Sequence, residues 1–494
     1  MIKGDDLPEG WVLAKLEDLC TPPQYGWTTS ADKDRAGLKL LRTTDISGGR
    51  VDWSSVPGCA QEPDDFQKYL LAPGDILISR AGSVGVSYLV NKCPSAIFAS
   101  YLIRFRPKPP LESKLIALFL KSPQYWAAII DETAGIAVPN VNASKLKRIE
   151  VPLPPLAEQK RIVAKVEDLL SRINAVKERL AKVVVILKRF RQAVLGGACS
   201  GQLTSDWRDE NLDVEPADQL LERIRRKYQR KYEDETKKAK FKYKNAPKKT
   251  AILEKRTVNA ADLPDIPEKW TWVYLPDLGF MNRGKSKHRP RNAPHLYEGP
   301  YPFIQTGDVA QSEGRITSHK QTYSEAGLTQ SHLWPAGTVC VTIAANIAGS
   351  ALLTYPACFP DSIVGLIPDA DLCLPEYAEF FIRTARSNLD QFAPATAQKN
   401  INIGILNDVA VPLPPFAEQQ QIVRRVETLL RLADSIEKRV TVATSRAQTL
   451  AQAILAKAFR GELVPTEAEL ARLEGRSYEP APALLARISG KRGE

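Results

Sequence analysis

The chain has 494 residues, 44% of them hydrophobic and 25% charged, with a formal net charge of +11, a length that suits roughly two to four domains. No apolar run reaches the roughly 18 residues that a membrane span needs, and the MIKGDDLPEG start has no apolar leader core, so no membrane association is expected and the location is read as cytoplasmic. Seven scattered cysteines without a CxxC pair fit reduced thiols, and argue against a disulfide framework or a zinc site.

In chain order, residues 1–150 form a first body that opens on LPEGWVLAKLEDL from Leu7. It holds short strand-like runs broken by Gly, Pro and Asp, among them LRTTDISGGR and LAPGDILISRAGSVG (Leu71 to Gly85). VPLPPLAEQKRIVAKVEDLL at Val151 then starts a spacer helix, assigned to residues 151–205. Its apolar residues fall at Ile162, Val166, Leu169, Ile173, Val176, Leu180, Val183, Leu187, Phe190 and Val194, alternating steps of four and three. Pro154 and Pro155 suit a first turn, Glu158 lies near the positive end of the helix dipole, and Gly201 follows the stop. Leu156 to Leu195 spans 40 residues, or roughly 60 Å of helix.

Residues 206–263 read as a basic linker, with thirteen Lys or Arg against four Asp or Glu between Glu222 and Lys249, and tyrosines at 228, 232 and 243. That composition predicts a tether with salt-sensitive attraction for a polyanion, and a solvated helical linker is the alternative. Residues 264–410 form a second body that opens on IPEKWTWVYLPDL from Ile266. At Val411, 260 residues after the first copy, VPLPPFAEQQQIVRRVETLL starts a second spacer helix over residues 411–463. Its seam is Ile422, Val426, Leu429, Ala433, Ile436, Val440, Ala443, Ala447, Leu450 and Ile454, with Pro414, Pro415, Glu418 and Gly461 repeating the terminal signals. Residues 464–494 form a tail with no assigned role.

The chain is therefore an internal repeat. QAVLGGACSGQL (from Gln192) aligns with QAILAKAFRGEL (from Gln452), while Thr43 and Asp45 face Thr306 and Asp308 at a shifted offset of 263. The expected fold is α+β: two globular α/β domains separated by two long antiparallel helices in an intramolecular coiled coil, related by a pseudo-two-fold. The residues expected to pair the helices are Ile162, Val166, Leu169, Ile173 and Leu180 with Ile422, Val426, Leu429, Ile436 and Leu450. The alternative is that each helix serves as ordinary core of its own body.

The LPEGW opening, LAPGDILISRAGSVG, the doubled VPLPPxAEQ ahead of a long helix and the closing RGEL together resemble the specificity subunit of type I restriction–modification enzymes, over about Leu7 to Leu463. The resemblance implies two target recognition domains that each read one part of a split, asymmetric site in double-stranded DNA. It implies spacer helices that dock two methyltransferase subunits, with restriction subunits joining through them. It also implies that S-adenosylmethionine, ATP and Mg2+ serve the partner subunits and that this chain holds no cofactor. Periodicity adds a mechanism, since a stiff rod fixes the spacing of two readers on a duplex that repeats every ~34 Å.

Given that resemblance, hydrogen-bonding side chains on turn-rich loops are the expected DNA contacts. In the first body these are Tyr25, Trp27, Thr28, Thr29 and Ser30; Arg42, Thr43 and Thr44; Arg80 and Ser83; and Asn140, Asn142 and Lys145. In the second they are Arg283, Lys285, Ser286 and Lys287; Gln305 and Thr306; Asn346; and Gln398, Lys399, Asn400 and Asn402. Asp45 and Asp308 are expected to orient neighbours, Asn140 and Asn142 have turn capping as an alternative, and the second body has no arginine matching Arg80. Signals for chemistry fail. GFMNRGKS from Gly279 fits the P-loop pattern, but Pro290 and Pro294 prevent the helix that a P-loop opens onto. His288, His295, His319 and His332 lack metal spacing, and there is no GxSxG, NPPY or DPPY. A non-catalytic recognition subunit is expected, with a coiled-coil scaffold that never reads DNA as the alternative.

Overall fold

The computed structural model describes residues 7–133, 140–241, 250–261, 263–288, 290, 292–344, 349–391 and 403–490. They fall into two compact units, one of residues 1–182 with 440–494 and the other of residues 183–439. The long helices Leu156–Cys199 and Phe416–Ala458 each contribute a segment to both units.

In the first unit, Val12–Lys15 pairs antiparallel with Glu150–Leu153, which is the start of the VPLPP motif. The two prolines then end the strand and open the helix, with Gln159 N–H reaching back to the Pro155 carbonyl at 2.9 Å. Glu158 is fully buried. Its carboxylate accepts the Trp11 indole N–H at 3.0 Å and the Glu467 amide at 2.8 Å. The second unit repeats this corner. Thr271–Tyr274 pairs with Ala410–Leu413, and Glu418 accepts the Trp270 indole at 2.8 Å and the Thr204 hydroxyl at 2.7 Å. The duplicated phrase in the sequence is thus a strand–proline–helix corner that clasps the tryptophan of the unit's opening segment. The following glycines complete it. Gly201 and Gly461 adopt φ +77° and +73°, and an added Cβ would lie 2.5 Å from Pro267 and 2.3 Å from Pro8.

Within the first unit, residues 156–182 of the first long helix run antiparallel to residues 440–458 of the second, with Lys177 donating to Gln448 at 2.9 Å. Ile162, Val166, Ile173, Ile454, Leu455 and Ala458 share one apolar core there, flanked by Leu169. In the second unit Arg191 reaches Asp434 (2.7 Å) and Glu437 (2.6 Å), and Val194, Leu195, Ile422 and Val426 share a core flanked by Leu429. The continuous seam needs correction at one level. Val176 is 47% exposed and Leu450 is 54% exposed, and the Lys177–Gln448 bond places the two at the same height on the helix pair. Two helices alone cover each other incompletely wherever no third element lies over them. Leu180 and Ile436 are half-buried.

The basic stretch is not a free tether over its first part. Ala217–Phe241 is a helix whose Ala217, Leu220, Leu221 and Ile224 are buried in the core of the second unit. The tail repeats this helix in the first unit. EPADQLLERI (215–224) and EPAPALLARI (479–488) both place a buried Ala–Leu face inward. Ala217 N–H donates to Lys269 O at 2.9 Å and Ala481 N–H to Gly10 O at 2.7 Å. Bidentate Glu215–Arg223 and Glu479–Arg487 pairs brace the two helices alike.

Each unit also carries mainly antiparallel sheet. In the first, Gln24–Tyr25, Leu102–Phe105, Ile76–Ser79 and Ser87–Leu89 lie side by side in that order. In the second the corresponding order is Gly279–Arg283, Ile363–Pro368, Val339–Thr342 and Ser350–Leu353, extended by Arg315–Ile316. GFMNR of the P-loop-like stretch is thus an edge strand.

Candidate nucleic-acid interface

At one end of the first unit's sheet, three connections converge. Gly26 N–H donates to Leu102 O at 3.2 Å, Trp27 N–H to Phe98 O at 2.8 Å, and Arg80 N–H to Tyr101 O at 2.9 Å. Gly26 is required here, because a Cβ would lie 2.2 Å from the Phe98 carbonyl oxygen. The 141–143 segment closes the group, with Val141 N–H donating to Arg80 O at 3.1 Å and Ala143 N–H to the Tyr25 hydroxyl at 3.0 Å. The Arg80 guanidinium lies over the Tyr25 ring, 5.1 Å from its centroid. Arg80 Nε is buried and has no hydrogen-bond partner among the described residues. Tyr25 (39%) and Tyr101 (59%) are exposed beside it.

The structure thus brings Tyr25, Arg80 and the Asn142 segment together. Trp27 is anchored to the neighbouring loop through its indole N–H on Gln61 O (2.8 Å), and the Thr29 hydroxyl accepts the Gln61 amide at 3.2 Å. Thr28, Ser30, Thr44, Ser83 and Asn140 are exposed, and Thr43 is half-buried. Two residues are committed elsewhere. Arg42 is held by both Asp45 oxygens (3.1 and 2.8 Å), so Asp45 does orient a neighbour. The Asn142 side-chain Oδ1 accepts the Lys145 amide at 2.9 Å as the cap of the Ala143–Lys147 helix.

In the second unit Gly284 N–H donates to Ile363 O at 2.8 Å, Lys285 N–H to Phe359 O at 3.0 Å, and Ile343 N–H to Ser362 O at 3.0 Å. Arg283 and Lys287 are exposed and Lys285 is half-buried, whereas Ser286 is 7% exposed and serves the interior. Gln305 is exposed and bonds Gln321, with its amide capped by Asp308 at 2.9 Å, and Thr306 is half-buried. Asn346, Gln398, Lys399, Asn400 and Asn402 lie outside the described residues. Sequence reading missed Tyr101, whose only signal was an aromatic residue standing beside a Ser in the turn between two apolar runs. Among the described residues no His, Cys, Asp or Glu cluster could hold a metal ion, and no helix is long and apolar enough to cross a membrane.

One backbone frame, built twice and dressed with unlike side chains, defines a tandem recognition protein. The profile of the type I restriction modification DNA specificity domain matches residues 8–184 and again 267–443, and the chain belongs to that family. It is 30% identical over 479 residues to the EcoKI specificity subunit of Escherichia coli K12, covering 92% of this chain and 90% of the relative. It is 28% identical over 478 residues to the StySPI specificity subunit of Salmonella potsdam, with the same coverage. Among solved structures, a chain of a type I restriction–modification system superposes with TM-score 0.65 at 18% identity, covering 92% of this chain and 99% of that one. The HsdS subunit of Thermoanaerobacter tengcongensis gives 0.50 at 18% identity, covering 92% and 98%. These two likenesses concern the fold.

Proposed function

We propose that this chain is the DNA-reading subunit of a type I restriction–modification assembly, with each unit reading one half of an asymmetric, split site in double-stranded DNA. The observation that carries the reading is the doubled frame: Gly26 and Gly284 hold the same turn, and the side chains around them differ. Unlike surfaces on like scaffolds suit unlike half-sites, because base edges are discriminated by donor, acceptor and methyl patterns. The long helices set the gap and dock two methyltransferase subunits, through which restriction subunits join. Exposed apolar residues on the helix segments, Val176 and Leu450 in the first unit and Val184, Val185 and Ile186 in the second, suit such docking. Methyl transfer and cleavage belong to those partners, which use S-adenosylmethionine, ATP and Mg2+, while this chain holds no cofactor and is non-catalytic.

The test is selection from random-sequence duplexes by the chain assembled with its methyltransferase subunits, followed by sequencing of the bound pool. Enrichment of two unlike short motifs at a fixed gap is expected. A pool with no motif would leave a protein scaffold in its place.

A further inference from the structure

The two frames can be superimposed residue by residue from their own hydrogen bonds. Leu102 N–H donates to Ala99 O at 2.9 Å, and Ile363 N–H donates to Pro360 O at 3.0 Å. The Gly26 amide on Leu102 matches the Gly284 amide on Ile363, and the Trp27 amide on Phe98 matches the Lys285 amide on Phe359. An added Cβ on Gly284 would lie 2.4 Å from the carbonyls of both Phe359 and Pro360, just as one on Gly26 would crowd Phe98 and Ala99. The strand registers agree independently. Ser79 faces Leu102 where Thr342 faces Ile363, and Tyr25 faces Ile103 where Arg283 faces Val364. Position for position, Tyr25 corresponds to Arg283, Trp27 to Lys285, Arg80 to Ile343 and Tyr101 to Ser362. The backbone bonds named above are matched in both units, and each of these four side chains is changed.

Arg80 gives way to Ile343, which is buried in the second unit's core, but the other three pairs all keep some exposure. Like backbone bonds carrying unlike, solvent-reaching side chains at those three positions suit different contacts. Tyr101 is the most exposed of these residues in the first unit, at 59%. Its carbonyl accepts the Arg80 amide, so its backbone is anchored next to the residue that stacks on Tyr25. A tyrosine so placed offers an apolar face on which a base can stack and one hydroxyl that can meet a base edge. Its counterpart offers only a short hydroxyl. We propose that Tyr101 and Ser362 are equivalent specificity-determining residues, each contacting bases of the half-site read by its own unit. This rests on the DNA-reading function above and names a pair of positions that it leaves open.

The experiment uses the full chain in complex with its methyltransferase subunits, and reads methylated sites across a genome. Tyr101→Ser should lower discrimination by about tenfold or more at one or two base pairs of a single half-site, leaving the gap and the other half-site as they were. Ser362→Tyr should change only the opposite half-site. Both residues are substituted outside the apolar cores, and equal thermal unfolding of the variant complexes confirms intact folding. An unchanged motif in both variants overturns the proposal. So does an even loss of methylation at all sites with the motif kept, which marks a phosphate contact. Absence of any split motif with the unsubstituted chain overturns the DNA-reading function itself, a distinguishable failure.

Discussion

Glu158 shows what a single buried carboxylate contributes. Burial lifts its pKa from 4.5 to about 7, against the opposing pull of the Glu467 amide, the Trp11 indole and Arg161, while the Glu467 charge adds to the rise. A folded-state pKa above the unfolded value means that the folded protein holds the proton more tightly. The associated stability is full below about pH 4.5 and is lost as pH rises through about 7. A gap of that size corresponds to roughly 3 kcal/mol. Glu158→Gln keeps an acceptor for Trp11 but cannot ionise. It should show a constant offset from the loss of one amide contact, and it should remove the pH slope. Hydrogen exchange at residues 12–15, followed in urea at pH 5 and pH 8, checks this, and identical slopes in both proteins would refute it. Other residues at this scale divide by their neighbours. The role of Asp45 was legible from its charge, since a carboxylate is repelled by phosphate and serves better to hold a neighbour. That the neighbour would be Arg42 was not read from the sequence, where Arg42 stood only as a DNA contact.

At the scale of elements, the proline-led start of each long helix was readable because proline pairs and a heptad run leave marks in the sequence, whereas the strand pairing and the Glu–Trp bond of the same corner join distant segments and left none. The tail was not. Its likeness to residues 215–224 lies at an offset of 264 rather than 260 and follows short helices of unlike sequence and length, Ser205–Glu210 and Glu467–Glu474, so a search at one period passes over it. Burial then reveals it, since Leu220 and Leu484 are 2% and 0% exposed and Ala217 and Ala481 are both 0%. The exposed Glu–Arg pairs beside them add little, and the apolar face carries the docking. Leu484→Ala should therefore cost the first unit about 2–4 kcal/mol, and Leu220→Ala should cost the second unit a similar amount. Exchange protection at 12–15 and at 271–274 reads the two separately. Each substitution should loosen its own strand pair and spare the other, and a shared loss would contradict the assignment.

For the molecule as a whole, the proposed function makes the long helices a spacer. Deleting seven residues from each, in heptad phase, removes about 10 Å of rise and should shorten the accepted gap between half-sites by roughly three base pairs, at ~3.4 Å per step. Bound-pool sequencing reads the gap directly, and a gap that stays constant would rule out the helices as its determinant. The heads' different surfaces predict that both motifs persist unchanged in that variant. The first unit has one further property, which follows from the segments that compose it. It is assembled from residues 1–182 and 440–494, whereas the second is one unbroken stretch, 183–439. During synthesis at about 5–20 residues per second, the inner stretch takes roughly 13–50 s to emerge, and the outer unit must wait through it with Trp11 lacking its tail cover. A chain cut short before residue 440 would therefore hold every residue of the second unit but not of the first, so the order of synthesis favours completion of the inner head.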